Sequence, residues 1–267
     1  MNIKIFQYDV GFGEPEKSLN KIKDKLESAK IQKDDVLVLP ELWSTGFDLK
    51  SLNRLAAVNL EPYLTEISNL AKRHRINIVA GSIANKVDEN SKDVYNTAFV
   101  VDSSGNLIHS YSKVHLVPML NEPDYLTEGE NQIEIFNLLE VQSGLAICYD
   151  LRFPELFRDM SLQGAKVIYL VAEWPIERKK HFLNLLKARA IENQCYVVAC
   201  NTIGVQNNKT EFAGSSIIID PLGEVVVQGS HDQEELVEAE INLNLVDKVR
   251  SSIPIFKSRR PEIYKYL

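Results

Sequence analysis

The chain has 267 residues, 45% hydrophobic and 25% charged, with a net charge of −7 at pH 7. No basic stripe offsets that charge, which excludes an electrostatic grip on nucleic acid. No apolar run approaches the ~20 residues of a membrane span, so no membrane role is expected. Met1-Asn2-Ile3-Lys4-Ile5-Phe6 alternates like a strand rather than forming a signal-peptide core. Cys148, Cys195 and Cys200 cannot all pair and show no metal-ligand spacing, so a cytoplasmic setting with reduced thiols is expected.

Residues 2–9 read as a first strand. After Gly11-Phe12-Gly13, Leu19, Ile22, Leu26 and Ala29 share one face of a helix. Residues 35–39 form a short apolar strand, suited to a parallel sheet covered on both faces, and end at Pro40-Glu41. A helix over 60–74 (Leu64, Ile67, Leu70, Ala71) precedes another buried strand at 76–83. Strands at 95–101 and 107–112 flank Asp102-Ser103-Ser104-Gly105, a hairpin signal. The stretch 113–132 is long and without pattern, and loops of that length in compact domains tend to carry function.

The second half repeats the theme. Strand 145–147 and a helix from Phe153 lead to strand 167–171, helix 180–193 (Phe182, Leu185, Leu186, Arg189) and strand 195–200. Strands at 217–220 and 224–227 flank a Pro-Leu-Gly turn, strand 237–241 follows, and a short helix and tail complete the chain. Alternating strands and helices predict an α/β fold with a mostly parallel sheet and two antiparallel hairpins. No linker interrupts the pattern, so one domain over 1–267 is expected.

Three predicted strand ends each present one reactive residue: Glu41, Lys113 and Cys148. In open α/β sheets, sites gather at the carboxyl ends of strands. Glu41 stands directly behind Leu37-Val38-Leu39-Pro40, in apolar surroundings that make a carboxylate a usable base. Cys148 falls at a strand-to-helix junction, where a helix N-terminus lowers a thiol's pKa and favours the reactive thiolate. Each has a plain alternative: a helix-capping or surface Glu, a solvated Lys, and a Cys acting as a small buried hydrophobe.

Four stretches together resemble the carbon–nitrogen hydrolases of the nitrilase superfamily: Leu39-Pro40-Glu41-Leu42-Trp43-Ser44-Thr45-Gly46-Phe47, Lys113-Val114-His115-Leu116, Cys148-Tyr149-Asp150-Leu151-Arg152-Phe153-Pro154-Glu155, and Ala188-Arg189-Ala190-Ile191-Glu192-Asn193-Gln194-Cys195-Tyr196. The resemblance spans essentially the whole chain. It implies a four-layer αββα sandwich and a Glu41–Lys113–Cys148 triad that hydrolyses amides through a thioester, without cofactor or metal. It also implies a second glutamate in the loop after the lysine: Glu122, with Glu128 and Glu130 as competitors.

Within the superfamily the likeness is closest to bacterial ω-amidases, which deamidate 2-oxo acid ω-amides such as 2-oxoglutaramate. Tyr149-Asp150-Leu151-Arg152-Phe153-Pro154 and Ala172-Glu173-Trp174-Pro175 carry it. A substrate with an amide at one end and a carboxylate at the other needs a cation near the thiol, and Arg152 can supply a bidentate fork. Its alternative is an ion pair with Asp150, Glu155 or Asp159. Tyr149 and Trp174 are expected at the pocket, while Glu173 stands where small polar residues are familiar. Local pairing on one helix is expected of Arg189, Glu192 and Asn193. The rival readings are hydrolysis of another amide (a deaminated glutathione, an N-carbamoyl compound, an aliphatic amide) and a catalytically silent scaffold. The tail, about 251–267, is apolar at Ile253, Ile255, Phe256, Tyr264 and Tyr266, and it is expected at the interface of a homodimer or higher oligomer.

Overall fold

Successive side chains of a strand point to opposite faces, and in the first sheet both faces are apolar. Ile3, Ile5, Val36, Val38, Val79 and Val100 share one core with a second sheet. Phe6, Leu37, Ile78, Ala80 and Phe99 face the other way and share a separate core with Ile22, Leu26, Ile67 and Leu70 of two helices. A sheet apolar on both faces must be covered on both, which makes layers.

The computed structural model describes residues 1–207 and 209–264. The first half supplies β1 (Asn2–Gln7), β2 (Val36–Val38), β3 (Ala57–Val58), β4 (Asn77–Lys86), β5 (Tyr95–Val101) and β6 (Leu107–Ser112). The second supplies β7 (Phe136–Leu138), β8 (Val141–Ile147), β9 (Val167–Ala172), β10 (Tyr196–Asn201), β11 (Val205–Gln206), β12 (Thr210–Glu211), β13 (Ile217–Ile219), β14 (Val225–Gln228) and β15 (Glu235–Glu240). One sheet runs β15-β1-β2-β4-β5-β6 with β3 beside β4; the other runs β14-β13-β10-β9-β8-β7. Helices α1 (Pro15–Ser28), α2 (Leu52–Leu55), α3 (Tyr63–His74), α4 (Pro154–Gln163), α5 (Lys179–Asn193) and α6 (Asn244–Ser252) complete the chain. The first sheet carries α1 and α3 on its outer face. The second packs Phe157 and Met160 of α4 and Phe182 and Leu186 of α5 on its own. The result is the expected helix–sheet–sheet–helix sandwich.

The expectation of a mostly parallel sheet fails. Only β1-β2-β4, the short β3, and β8-β9-β10 run parallel, while β15, β5, β6, β7, β13 and β14 pair antiparallel. Each sheet has a parallel centre, where crossover helices cover it, and hairpin-built flanks. The helix expected from residue 60 begins at Tyr63, because Asn59 and Leu60 hold φ of 50° and 68°, outside the helical region. Ala29 lies just past the end of α1 rather than within it. No helix among the described residues is long and apolar enough to cross a membrane.

Candidate active site

Strands β2, β4 and β6 share one direction, so the residues that follow β2 and β6 emerge at the same edge of the first sheet. Glu41 lies in the turn after β2, Lys113 directly follows β6, and Cys148 directly follows β8 of the facing sheet. The turn bearing Glu41 is held by an irregularity in β4, whose register shifts between Val79 and Ser82. There Gly81 takes φ +59°, and a Cβ would lie 1.9 Å from the Pro40 carbonyl oxygen. Only glycine lets the two backbones approach so closely. Ser82 then accepts from Leu42 N–H at its hydroxyl (2.9 Å) and from Trp43 N–H at its carbonyl (3.0 Å).

Glu41, Lys113 and Glu122 are fully buried, each 0% exposed. Lys113 Nζ donates to Glu41 Oε1 at 2.9 Å and to Glu122 Oε1 at 2.8 Å. Burial alone would discharge the amine; the two carboxylates outweigh it and hold Lys113 protonated well above the ordinary lysine range. The remaining carboxylate oxygens are also engaged. Glu41 Oε1 accepts from Asn96 Nδ2 (2.8 Å) and Oε2 from Glu173 N–H (2.9 Å), while Glu122 Oε2 accepts from Val117 N–H (2.7 Å). Burial raises the Glu122 carboxyl, opposed by Lys113. Glu122 is thus the loop acid brought to the lysine, and the competitors Glu128 and Glu130 are exposed.

Cys148 opens a 3-10 turn, Cys148–Arg152, between β8 and α4, and it holds φ +44°. A non-glycine residue in that region is strained and persists only where its surroundings over-determine it. Asp150 does so. Its Oδ2 accepts from Ile147 N–H (3.0 Å) and Tyr111 O–H (2.8 Å), and its Oδ1 from His115 N–H (3.2 Å), with His115 Nδ1 at 2.8 Å. The same carboxylate therefore ties the cysteine turn to the segment that follows Lys113. Arg189 adds a second hold, donating to the Leu151 carbonyl at 2.8 and 3.2 Å besides pairing with Glu192 at 2.8 Å. Its expected pairing along the helix is present, but its reach into the cysteine turn was not foreseen.

The expected lowering of the Cys148 pKa is reversed. Burial, then the charge of Glu41, push the thiol well above its ordinary value, and Lys113 offsets this only in part. Burial and the neighbouring carboxylate therefore favour the S–H form at rest. The short 3-10 turn supplies too little aligned backbone to compensate.

Cys148, Tyr149, Arg152, Glu173, Trp174, Arg178, Phe47 and Leu120 line a cavity of about 320 Å³. The Arg152 guanidinium lies over the Trp174 ring at 4.8 Å and the Tyr149 ring at 5.6 Å. It makes no ion pair among the described residues, so the expected alternative pairing with Asp150, Glu155 or Asp159 is not formed. Trp174 is pinned by its indole N–H to the Arg178 carbonyl (2.9 Å) and its backbone N–H to Asn201 Oδ1 (2.7 Å). Tyr149, Arg152 and Trp174 thus all line the cavity that Cys148 opens onto. Asn96, Asp150 and Asn201 were missed as site-builders, since each is one polar residue in or beside an apolar strand and its partner is set by sheet pairing.

A buried Glu–Lys–Cys cluster at the strand ends of an αββα sandwich defines the class, and a carbon–nitrogen hydrolase family model matches residues 3–251. The chain belongs to the carbon–nitrogen hydrolases of the nitrilase superfamily and is an ω-amidase-like, amide-hydrolysing enzyme. It is 44% identical over 262 residues to a protein of Bacillus subtilis named 2-oxoglutaramate amidase, covering 98% of each chain. It is 42% identical over 266 residues to the hydrolase in the agr operon of Staphylococcus aureus, covering 99% of this chain and all of that one. Among solved structures, a superfamily member from Xanthomonas campestris with an arsenic adduct in its active site superposes with a TM-score of 0.89 at 27% identity, covering 97% of each chain.

Proposed function

We propose that the enzyme hydrolyses the terminal amide of small 2-oxo acid ω-amides, 2-oxoglutaramate or 2-oxosuccinamate, to the acid and ammonia through a Cys148 thioester. One observation carries the substrate assignment: Arg152 lines the cavity of Cys148 without a carboxylate of its own among the described residues, leaving its fork for that of the substrate. The relatives from Bacillus subtilis and Paenarthrobacter nicotinovorans, at 44% and 34% identity, bear the name 2-oxoglutaramate amidase and support the reading.

In this scheme Glu41 takes the Cys148 proton as sulfur bonds to the amide carbon. The developing oxyanion meets the Lys113 ammonium and the Tyr149 N–H, which lies in a first turn where no intrahelical acceptor exists. Glu41 then gives the proton to the departing nitrogen, the C–N bond breaks and ammonia leaves. A water attacks the thioester with Glu41 as base, the C–S bond breaks, and the proton returns to sulfur. Glu122 holds Lys113 in place throughout, and Trp174 walls the pocket. The resting thiol supports this order of events, since proton removal and attack must then be coupled.

The test is ammonia release from 2-oxoglutaramate, glutamine and an uncharged aliphatic amide, for wild type and Arg152→Ala. The expected result is release from the oxo-acid amide and loss of that preference in Arg152→Ala. Unchanged selectivity in the variant contradicts the assignment. A larger acid-bearing amide, such as a deaminated glutathione, is favoured by a second guanidinium, Arg178, in the same cavity. If that reading holds, Arg178→Ala depresses turnover of deaminated glutathione and spares 2-oxoglutaramate.

A further inference from the structure

The scheme above leaves one buried group of the cavity unused. Glu173 follows the last residue of β9, is 1% exposed, and lines the cavity with Cys148, Arg152 and Trp174. Its backbone N–H donates to Glu41 Oε2 at 2.9 Å, which sets this residue against the reacting pair. In its side chain, Oε1 accepts from Gln206 Nε2 at 3.2 Å. The amide of Gln206 is oriented by its other contacts: Oε1 accepts from Phe47 N–H (2.9 Å) and Nε2 also reaches the Val10 carbonyl (3.3 Å). Oε2 of Glu173 has no partner, and among the residues lining the cavity it is the only buried side-chain oxygen or nitrogen so left.

The protonation state follows from the surroundings. Burial, and then the charge of Glu41, push the Glu173 carboxyl well above the usual carboxylate range, which favours the neutral acid. A neutral carboxyl carries one donor, and Oε1 is engaged as an acceptor, so the proton resides on Oε2. A buried O–H without an acceptor is costly and asks for an explanation. A 2-oxo acid ω-amide has three polar groups. Its amide goes to Cys148, Glu41 and Lys113, and its carboxylate goes to Arg152. The 2-oxo oxygen, which can only accept, is still unassigned.

We propose that Glu173 is the specificity residue for the 2-oxo group, with Oε2–H donating to the keto oxygen while Arg152 holds the carboxylate. This rests on the substrate reading above. A neutral acid suits this role, because it donates as a hydroxyl does and does not repel the substrate's own charge. The competing explanation is a water joining Oε2 to the hydroxyl of Tyr8, which is also buried without a partner and lies within electrostatic reach of Glu173.

The experiment compares kcat/KM for 2-oxoglutaramate with that for glutaramate, the same chain lacking the keto oxygen, in wild type, Glu173→Gln and Glu173→Met. Wild type should prefer the oxo substrate by about tenfold or more, because a site built to donate rejects the analogue that leaves its donor unpaired. Glu173→Gln should keep the preference, since its carbonyl can accept from Gln206 and its NH₂ can donate. Glu173→Met, similar in size but without a donor, should lose it to within about threefold. The ratio cancels any general loss of folded enzyme. A parallel fall on both substrates in Glu173→Met with the preference intact overturns the proposal in favour of the water bridge. Loss of preference in Glu173→Gln equal to that in Glu173→Met also overturns it.

Should Glu173→Met fail to fold, difference infrared spectroscopy on wild type and Glu173→Gln decides. The carboxylic-acid C=O band assigned to Glu173 should shift on binding 2-oxoglutarate and not on binding glutarate, and no shift contradicts the proposal. Wild type turning over both amides equally overturns the role of Glu173 but leaves the amidase reading standing. Wild type turning over neither removes both.

Discussion

Lys113 sits between two carboxylates with no exposure to solvent, and three buried charges so close are tolerated only as a set. Removing one acid leaves the lysine under-compensated and free to shift. Glu122→Gln should therefore lower kcat by about a hundredfold, the cost of roughly an ångström of misplacement in a reacting group. A kcat within a few-fold of wild type would show that Glu122 does not position the ammonium. The three cysteines make a second case. Cys195 is pushed up to about 12 by burial and Cys200 also lies well above its ordinary value, and both are fully buried away from the cavity. Iodoacetamide should label Cys148 alone in the native protein, with a rate that climbs through the alkaline range rather than levelling off near neutrality. Equal labelling of all three would favour the silent scaffold. Glu173 predicts an effect on stability. The unfolded chain releases its proton above about pH 4.5 while the fold retains it, so this group's contribution is full below that pH and is lost as pH rises. Glu173→Gln, which has no proton to lose, should be more stable than wild type at pH 7 by about 1–3 kcal/mol and no more stable near pH 4. Equal stability at both would mean that Glu173 is not held as the acid.

At the scale of elements, the strands that deliver Glu41 and Cys148 were legible because each is a short apolar run ending in a charged or nucleophilic residue, and the one before Lys113 because it completes a hairpin signal. The devices that aim those side chains were not. Gly81 sits inside β4, and its sequence neighbours give no sign that Pro40 must pass against it; the need appears only once β4 lies beside β2. Gly81→Ala should be strongly destabilising, by about 3 kcal/mol or more, because its Cβ meets backbone at 1.9 Å and its φ disfavours any side chain. Chemical denaturation measures this, and a loss under about 1 kcal/mol would show that the turn bearing Glu41 can relax. Asp150 was legible as part of a motif but not as the carboxylate that fixes the strained cysteine, since Tyr111 and His115 arrive from the other sheet. The thiol's pKa was misread for the same reason: helix proximity is local and visible, whereas burial beside Glu41 depends on tertiary packing.

For the whole molecule, the apolar strands and amphipathic helices were enough to indicate α/β layers, and the four-layer arrangement came from the family resemblance. Strand direction was not legible, because a run buried on both faces looks alike in parallel and antiparallel pairs. The tail is partly accounted for within one chain: Phe256 lies between the guanidinium groups of Arg158 and Arg250, at 5.5 and 5.1 Å. Ile253, Ile263 and Tyr264 stay exposed, as does Ile191 of α5. Tyr266 and Asn208, the latter in the sequon Asn208-Lys209-Thr210, lie outside the described residues. Light scattering should give at least twice the chain mass of 30.3 kDa, and Ile263→Asp should shift the equilibrium toward monomer. A wild-type monomer would contradict this. The proposal that Cys148 is the nucleophile of an amide hydrolysis underlies all the rest. Its most direct measurement is the rate of ammonia release from 2-oxoglutaramate by wild type and Cys148→Ala side by side. Wild type should release ammonia, and the variant should lose about 10⁴-fold or more of that rate, the scale on which removing a nucleophile acts. Release that survives in Cys148→Ala would contradict it.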